Sequence, residues 1–431
     1  MNFLVYLLLA FIAIFPKVSI ISIGGSSAGI RFEDFLIAIV VFLLIYGLRR
    51  SSVNFNTDSL KRIEKIFFTY IFLSTISTLY GICIGYALPL TAVLFLVRKV
   101  EYFILIYVGF YFGNIIHDKK RQLFNFAVIF HFILCLLQQA GMIGSFNRGE
   151  MLDTLTQGRV SSTFNGAYEL SAFLLLLLPF YLLSFVKEKK NKLSNFIYIL
   201  LITYCIVLSN SRSSLVIAVI IFFMILYKEK ILKKVGTLKN YLMGFTISLP
   251  VFMYCISKID FSRFEDLSFI KTYQIVKFSW KYKNFEKYVS LGDWYGDSPL
   301  GLVQMVSLGY DGSSYARFSH WMQLIDGWLK SPFIGCGISV AGNSADGNYI
   351  KILTEAGIIG ILAWCYLLYQ ILKTLMQSEN TTWLFYSFIS IVIGATFIDL
   401  FDSSKIMMMF WFLYGSYLRG KTVENKKCFS N

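Results

Sequence analysis

Apolar runs of close to bilayer-spanning length recur along this chain at 2–20, 32–48, 66–84, 100–116, 123–143, 167–186, 194–209, 213–227, 240–256, 355–375, 382–398 and 406–418. A hydrocarbon core about 30 Å thick takes roughly 20 apolar residues per helix, so the pattern predicts about twelve spanning helices. In lipid every backbone polar group must be satisfied within the protein, and helices do this most simply. The expected fold is therefore an all-α polytopic membrane protein. Composition agrees: 56% of the 431 residues are hydrophobic and only 15% charged, too little polar surface to cover a soluble protein.

The formal charge of +15 would ordinarily raise nucleic acid as a partner, but its distribution argues against that. Basic residues crowd every second short loop, after the second (Arg49, Arg50, Lys61, Arg62, Lys65), fourth (Lys119, Lys120, Arg121), sixth (Lys187, Lys189, Lys190, Lys192) and eighth runs (Lys228, Lys230, Lys233, Lys234, Lys239). Lys373 and the tail Arg419, Lys421, Lys426 and Lys427 continue the pattern. By the positive-inside rule these loops and both termini face the cytoplasm. The alternate short loops carry only Lys17, Arg31, Arg148, Arg159, Arg212 and Lys405. Residues 1–16 lack a basic leader and a cleavage site, and read as a retained first span.

Three regions follow. Residues 1–256 hold nine spans, 257–354 form one large external loop, and 355–431 hold three further spans and a basic tail. A loop this long is usually functional. Segments 272–289 and 315–330 read as helices within it, punctuated by Gly292, Pro299, Pro332, Gly335 and Gly337, so a small folded cap on the outer surface is expected.

Four polar features interrupt the apolar frame. Gly158-Arg159-Val160-Ser161-Ser162-Thr163-Phe164-Asn165 leads into the sixth span, with Glu169 just inside it. Arginine's planar fork suits a phosphate, although a snorkelling or capping residue would look the same. Ser209-Asn210-Ser211-Arg212-Ser213-Ser214 is a tight external turn with one charge, either a headgroup-level ligand or an interfacial anchor. In the loop, Arg317 and His320 would share a helix face, with Phe318, Trp321, Ile325 and Leu329 as a buried stripe. His320 suits a general base near neutral pH, or is a structural histidine. Fourth come Ser331 to Gly337, then Asp346 to Ile350 and Glu355 to Gly360, whose glycines suit tight helix packing. Arg98, Lys99 and Glu101 interrupt another apolar stretch and read as a surface feature. Most of the seven cysteines, including Cys83, Cys135, Cys205, Cys255 and Cys365, lie in apolar runs as small core residues. The sequence carries no phosphate-binding loop, dinucleotide fingerprint or zinc spacing, so no cofactor or metal is expected.

The stretch Arg159 to Asn165, the turn Ser211 to Ser213, and the series Arg317, Trp321, Ser331 to Gly337, Asn348-Tyr349 and Glu355 to Gly360 together resemble the Wzy-like O-antigen polymerase and O-antigen ligase family. The resemblance implies a C-type glycosyltransferase architecture acting on glycans carried by undecaprenyl pyrophosphate at the outer face of the bacterial cytoplasmic membrane. Donor and acceptor glycans, membrane lipid, a chain-length regulator and a flippase are the implied partners. Arg159 and Arg212 would bind pyrophosphate, Arg317 would support the loop side, and Asn165, Glu169 and Asn348 would line the substrate site. His320 as acceptor base is an inference from the residues alone. Ligases of the family tend to show His-Asn before the closing Gly-Ile-Ile-Gly, where this chain has Gly347-Asn348, which favours polymerase over ligase. A lipid-linked oligosaccharide flippase or other transporter is the rival class, and would place charges at mid-depth on several helices.

Overall fold

The computed structural model describes residues 2–16, 19–22, 29–50, 57–147, 150–152, 159–188, 190–228, 269–291, 312–342, 346–377 and 382–429. These form an all-α protein with two small antiparallel pairs, β1 (Ser19–Ser22) with β2 (Gly29–Arg31) and β3 (Ser145–Asn147) with β4 (Glu150–Leu152). The helices, in chain order, are α1 (Asn2–Ile14), α2 (Phe32–Arg50), α3 (Asp58–Cys83), α4 (Pro89–Gln139), α5 (Ala167–Lys187), α6 (Lys192–Leu208), α7 (Arg212–Lys228), α8 (Phe269–Lys281), α9 (Phe285–Leu291), α10 (Gly312–Lys330), α11 (Asn348–Met376), α12 (Thr382–Gly394) and α13 (Ser404–Phe429).

Among the described residues, four helical segments are long and apolar enough to cross a membrane: Asp58–Cys83, Lys119–Gln139, Ala167–Lys187 and Asn348–Met376. Phe3–Ile14, Lys192–Leu208 and Trp383–Gly394 are apolar but shorter. By length and composition these suit a multi-pass membrane protein. Outward-facing Phe68, Phe72, Ile76 and Leu79 add a continuous exposed apolar stripe along α3, a surface a monomer in water rarely carries. The expected ninth span at 240–256, with Cys255, and the turn markers Gly292 and Pro299 lie outside the described residues.

Helix α4 needs a closer reading. As a straight rod its 51 residues would reach about 75 Å. Yet Lys99 near its start bonds Asp402 just before α13, while Gln138 at its end bonds Ser162, whose neighbour Thr163 accepts from Lys405 in the first turn of α13. Both arms therefore reach the same end of the molecule, and the chain doubles back between them. The arrangement agrees with the two separate runs expected at 100–116 and 123–143. Arg121, at the opposite end, forms a two-pronged bond to Glu188 at 2.6 and 2.7 Å, beside Ser184 and Asn195. Tyr417 bonding Thr374 and Lys421 bonding Gln377 place further basic-loop residues at that same end. Arg121 and Lys421, from two of the basic segments, thus lie at the end of the bundle opposite Lys405.

Close helix contact depends on small residues. A methyl group at Gly109 would strike the carbonyl of Phe412, and one at Gly415 the carbonyl of Ile106, so α4 and α13 touch backbone to backbone. Gly109→Leu should separate them, lowering thermal stability in detergent by about 1–3 kcal/mol or more. A size-exclusion profile and melting curve would show it.

Helix α11 is broken at Gly357, which has φ +68°. The glycine-rich segment Ser331–Gly337 fills the break. Ile358 and Ile359 N–H groups donate to the Pro332 and Phe333 carbonyls at 2.9 and 3.4 Å, and Cys336 and Gly337 N–H groups donate to Thr354 and Glu355 at 2.8 and 3.0 Å. Two N–H groups and two carbonyls beside the kink thus find partners, as irregular backbone among apolar helices requires. From α3, Ser77 donates to the Glu355 carbonyl at 2.5 Å and accepts from Gly337 N–H at 3.1 Å. The two glycine motifs are one packing unit, as the packing interpretation expected.

The described part of the large loop forms the expected helical cap, α8 to α10, but its buried stripe differs. Leu329 is 51% exposed, while Tyr315, Ser319, His320, Met322 and Leu324 are buried. The reason is that α10 is packed on two sides, by Ser319 against Ser279 of α8 (3.0 Å) and by Thr354 of α11 donating to the Leu324 carbonyl (2.8 Å).

Candidate functional site

The polar features converge at the end of the bundle that carries the cap. Val160 N–H donates to the Leu208 carbonyl at 3.4 Å, which ties the segment after Arg159 to the turn that begins α7 with Arg212. Ser171 of α5 shares a 2.7 Å hydrogen bond with Ser214, which also bonds Ser211 at 2.9 Å beside Arg212 in sequence. Two motifs remote in sequence form one site. The Arg159 guanidinium donates to Tyr168 Oη at 2.7 Å and lies 5.5 Å from that ring. Arg159 and Arg212 are both half-buried and keep access to solvent.

A frame of buried side chains fixes the Arg159 segment. Gln138 accepts from the N–H groups of Ser161 and Ser162 at 3.2 and 2.7 Å, and donates to the carbonyls of Ser162 and Gly144 at 3.0 and 3.1 Å. His131 Nε2 lies 2.9 Å from the Ala13 carbonyl, which can only accept, so Nε2 carries the proton and Nδ1 accepts from the Ser162 hydroxyl at 2.8 Å. These bonds hold Ser162 at φ +51°, a left-handed conformation unusual for serine. Asn210, in the other arginine turn, has φ +50°. Both turns adjoining the arginines are thus held in backbone conformations that cost energy. Lys405 completes the frame, donating to the backbone and side-chain oxygens of Thr163 at 3.0 Å each and lying 4.1 Å from the Phe164 ring. Gln138→Leu leaves the buried Ser162 N–H unpaired at about 1–3 kcal/mol, while Ser161 N–H keeps Ser145 Oγ at 3.1 Å, and should lower both thermal stability and the trypsin resistance of the 159–166 segment.

Beneath this turn lies a charge network that sequence reasoning missed. Asp402 accepts from Lys99 at 2.6 Å and pairs with Lys351 at 2.9 Å; Lys351 also pairs with Asp399 at 2.8 Å. Asn348 donates to Asp399 and accepts from Phe401 N–H at 2.9 Å. Glu355 accepts from Ser339 N–H at 3.0 Å. Burial pushes Asp399 up to about 7, despite Lys351 and with the Asp402 charge adding to the rise. Asp402 is opposed by the same burial, but its two lysines hold it well below the usual carboxylate range. Nearby, Arg31 pairs with Glu33 at 3.3 Å and donates to Ser404 at 3.2 Å.

Several expectations change. Lys99 is not a surface residue but a buried partner of Asp402. Asn348 is 1% exposed with both ends of its amide engaged inside the protein, so its role shifts from touching substrate to fixing the 395–403 turn. His320 is 3% exposed and stands edge-on to Tyr288 at 5.9 Å, which favours its structural interpretation over that of an acceptor base. Arg317 reaches Asp346 at 3.5 Å, bracing the cap against the start of α11. Asn165 and Glu169 are half-buried at the start of α5, with Glu169 within electrostatic reach of Arg31. Gly158 and Arg148 lie outside the described residues. Among the described residues no cluster of His, Cys, Asp or Glu is arranged to hold a metal ion. The chain matches no protein-family model, and no curated protein matches it.

Proposed function

We propose that this protein is a membrane glycosyltransferase of the Wzy-like kind, joining oligosaccharide repeat units carried on undecaprenyl pyrophosphate at the outer face of the bacterial cytoplasmic membrane. The frame would comprise about twelve spans of C-type glycosyltransferase architecture, with both termini cytoplasmic and the cap outside. The observation that supports this reading is the joining of the Arg159 and Arg212 motifs through Val160 and Leu208. Arg159 and Arg212 are both half-buried at this end, and Arg159 is directed by Tyr168 Oη at 2.7 Å. In the reaction an acceptor hydroxyl forms a bond to the anomeric carbon and releases its proton, while the bond from that carbon to phosphate breaks and its electron pair leaves on the pyrophosphate. Preplaced guanidinium groups stabilise the charge that develops there.

A transporter of the same lipid-linked glycans is the second reading. The buried Lys99–Asp402–Lys351–Asp399 network is the observation that favours it, since buried ionisable groups in a membrane protein are commonly kept for function. Glycan analysis of a strain lacking the protein separates the classes. Single repeat units exported and attached without a ladder are the expected result; polymer stranded on its carrier would instead indicate a ligase, and units left on the cytoplasmic side a transporter.

A further inference from the structure

Among the described residues, helix α8 is packed by one face only. Ile275 and Ser279 are buried against α10, while Tyr273, Lys277 and Trp280, at helical spacing on the other side, face outward, with Tyr273 59% and Trp280 48% exposed. Lys281 is exposed beside them. Across residues 269–291 there are five lysines and a single acid, Glu286, which is itself paired with Lys330 at 2.7 Å. Aromatic rings interleaved with lysines match the boundary layer of a membrane, where the rings sit among headgroups and the ammonium groups meet lipid phosphates.

The position of the cap agrees with this. Phe285 of α9 stands edge-on to Tyr86 at 5.3 Å, and Lys330 at the end of α10 lies 5.9 Å from the same ring. Tyr86 follows directly on α3, whose outward stripe of Phe72, Ile76 and Leu79 is exposed and apolar, and Leu88 and Leu90 beyond it are exposed too. The cap is therefore fastened at the level where the apolar outer surface of the bundle ends. We infer that the Tyr273–Lys277–Trp280 face of α8 rests on the anionic headgroup layer of the surrounding membrane and fixes the height and tilt of the cap above the bundle.

The test uses the full-length protein in lipid nanodiscs, either of phosphatidylcholine alone or with an equal share of phosphatidylglycerol. The difference in fluorescence between the wild type and Trp280→Phe isolates this one indole. Quenching of that difference signal by a headgroup nitroxide should be at least twice as strong in the anionic discs. With Lys277→Gln and Lys281→Gln together, it should fall back to the level of the zwitterionic discs. Equal quenching in the two lipids overturns the proposal, as does free quenching by aqueous iodide with none by the nitroxide. Shielding from iodide that arises only on adding a soluble oligosaccharide, or only at high protein density, would assign the face to a glycan or a second copy and overturn it equally.

Discussion

Arg159→Lys and Arg212→Lys will each slow glycan chain elongation by about a hundredfold or more, with protein level and melting temperature close to wild type. A lysine keeps the charge but offers a point where arginine offers a planar fork, and a pyrophosphate leaving group is best met by parallel N–H bonds. Arg159 is half-buried and directed by Tyr168 at 2.7 Å, so its substitution removes one hydrogen bond and little packing. The measurement is elongation of a lipid-pyrophosphate oligosaccharide by the purified protein, read as a ladder. Arg121→Lys, at the other end of the bundle, serves as the contrast. It disrupts the two-pronged bond to Glu188 and should lower stability without a selective loss of elongation. Ladders of normal length and rate from both variants would remove the two arginines from the reaction.

How far the sequence disclosed this site depended on whether each signal was local. The repeating apolar runs are local, and among the described residues four helical segments are long and apolar enough to cross a membrane, with the two arms of α4 matching two of the runs. The arginine motifs were visible because each charge sits alone in a short polar turn. Their meeting through Val160 and Leu208 was not, since nothing near either motif encodes a contact across α5 and α6. The charge network was hidden for a related reason. Lys99, Lys351, Asp399 and Asp402 each sit just outside the end of an apolar run, where a charge reads as an ordinary flanking residue, and which charge pairs with which is decided by the packing of α4, α11 and the 395–403 turn. His320 shows the converse: a titratable residue beside a cation reads as either chemistry or structure, and only the packing of Tyr288 against its ring weighs toward the second.

Of the two aspartates in that network, Asp402 should be far less replaceable than Asp399. Asp402→Asn leaves the ammonium groups of Lys99 and Lys351 buried with one carboxylate in place of two, and removing one partner of a buried ion pair costs about 3–5 kcal/mol. Asp399→Asn should cost about 1 kcal/mol, because burial has already raised that carboxyl to about 7 and the neutral amide resembles its protonated form. The sign of the pH dependence follows from the same shift. A carboxyl whose folded value lies above its unfolded value of about 3.9 stabilises the fold fully below pH 4, and that contribution is lost as pH rises to 7. Melting curves in detergent should therefore fall over this window in the wild type and fall less steeply in Asp399→Asn. Adding Lys99→Met to Asp402→Asn should recover much of the lost stability, since it withdraws the charge left without its counter-ion. Failure of that rescue would mean that Asp402 answers chiefly to Lys351, and would make the 395–403 turn, rather than the α4 arm, the part of the fold that the network secures.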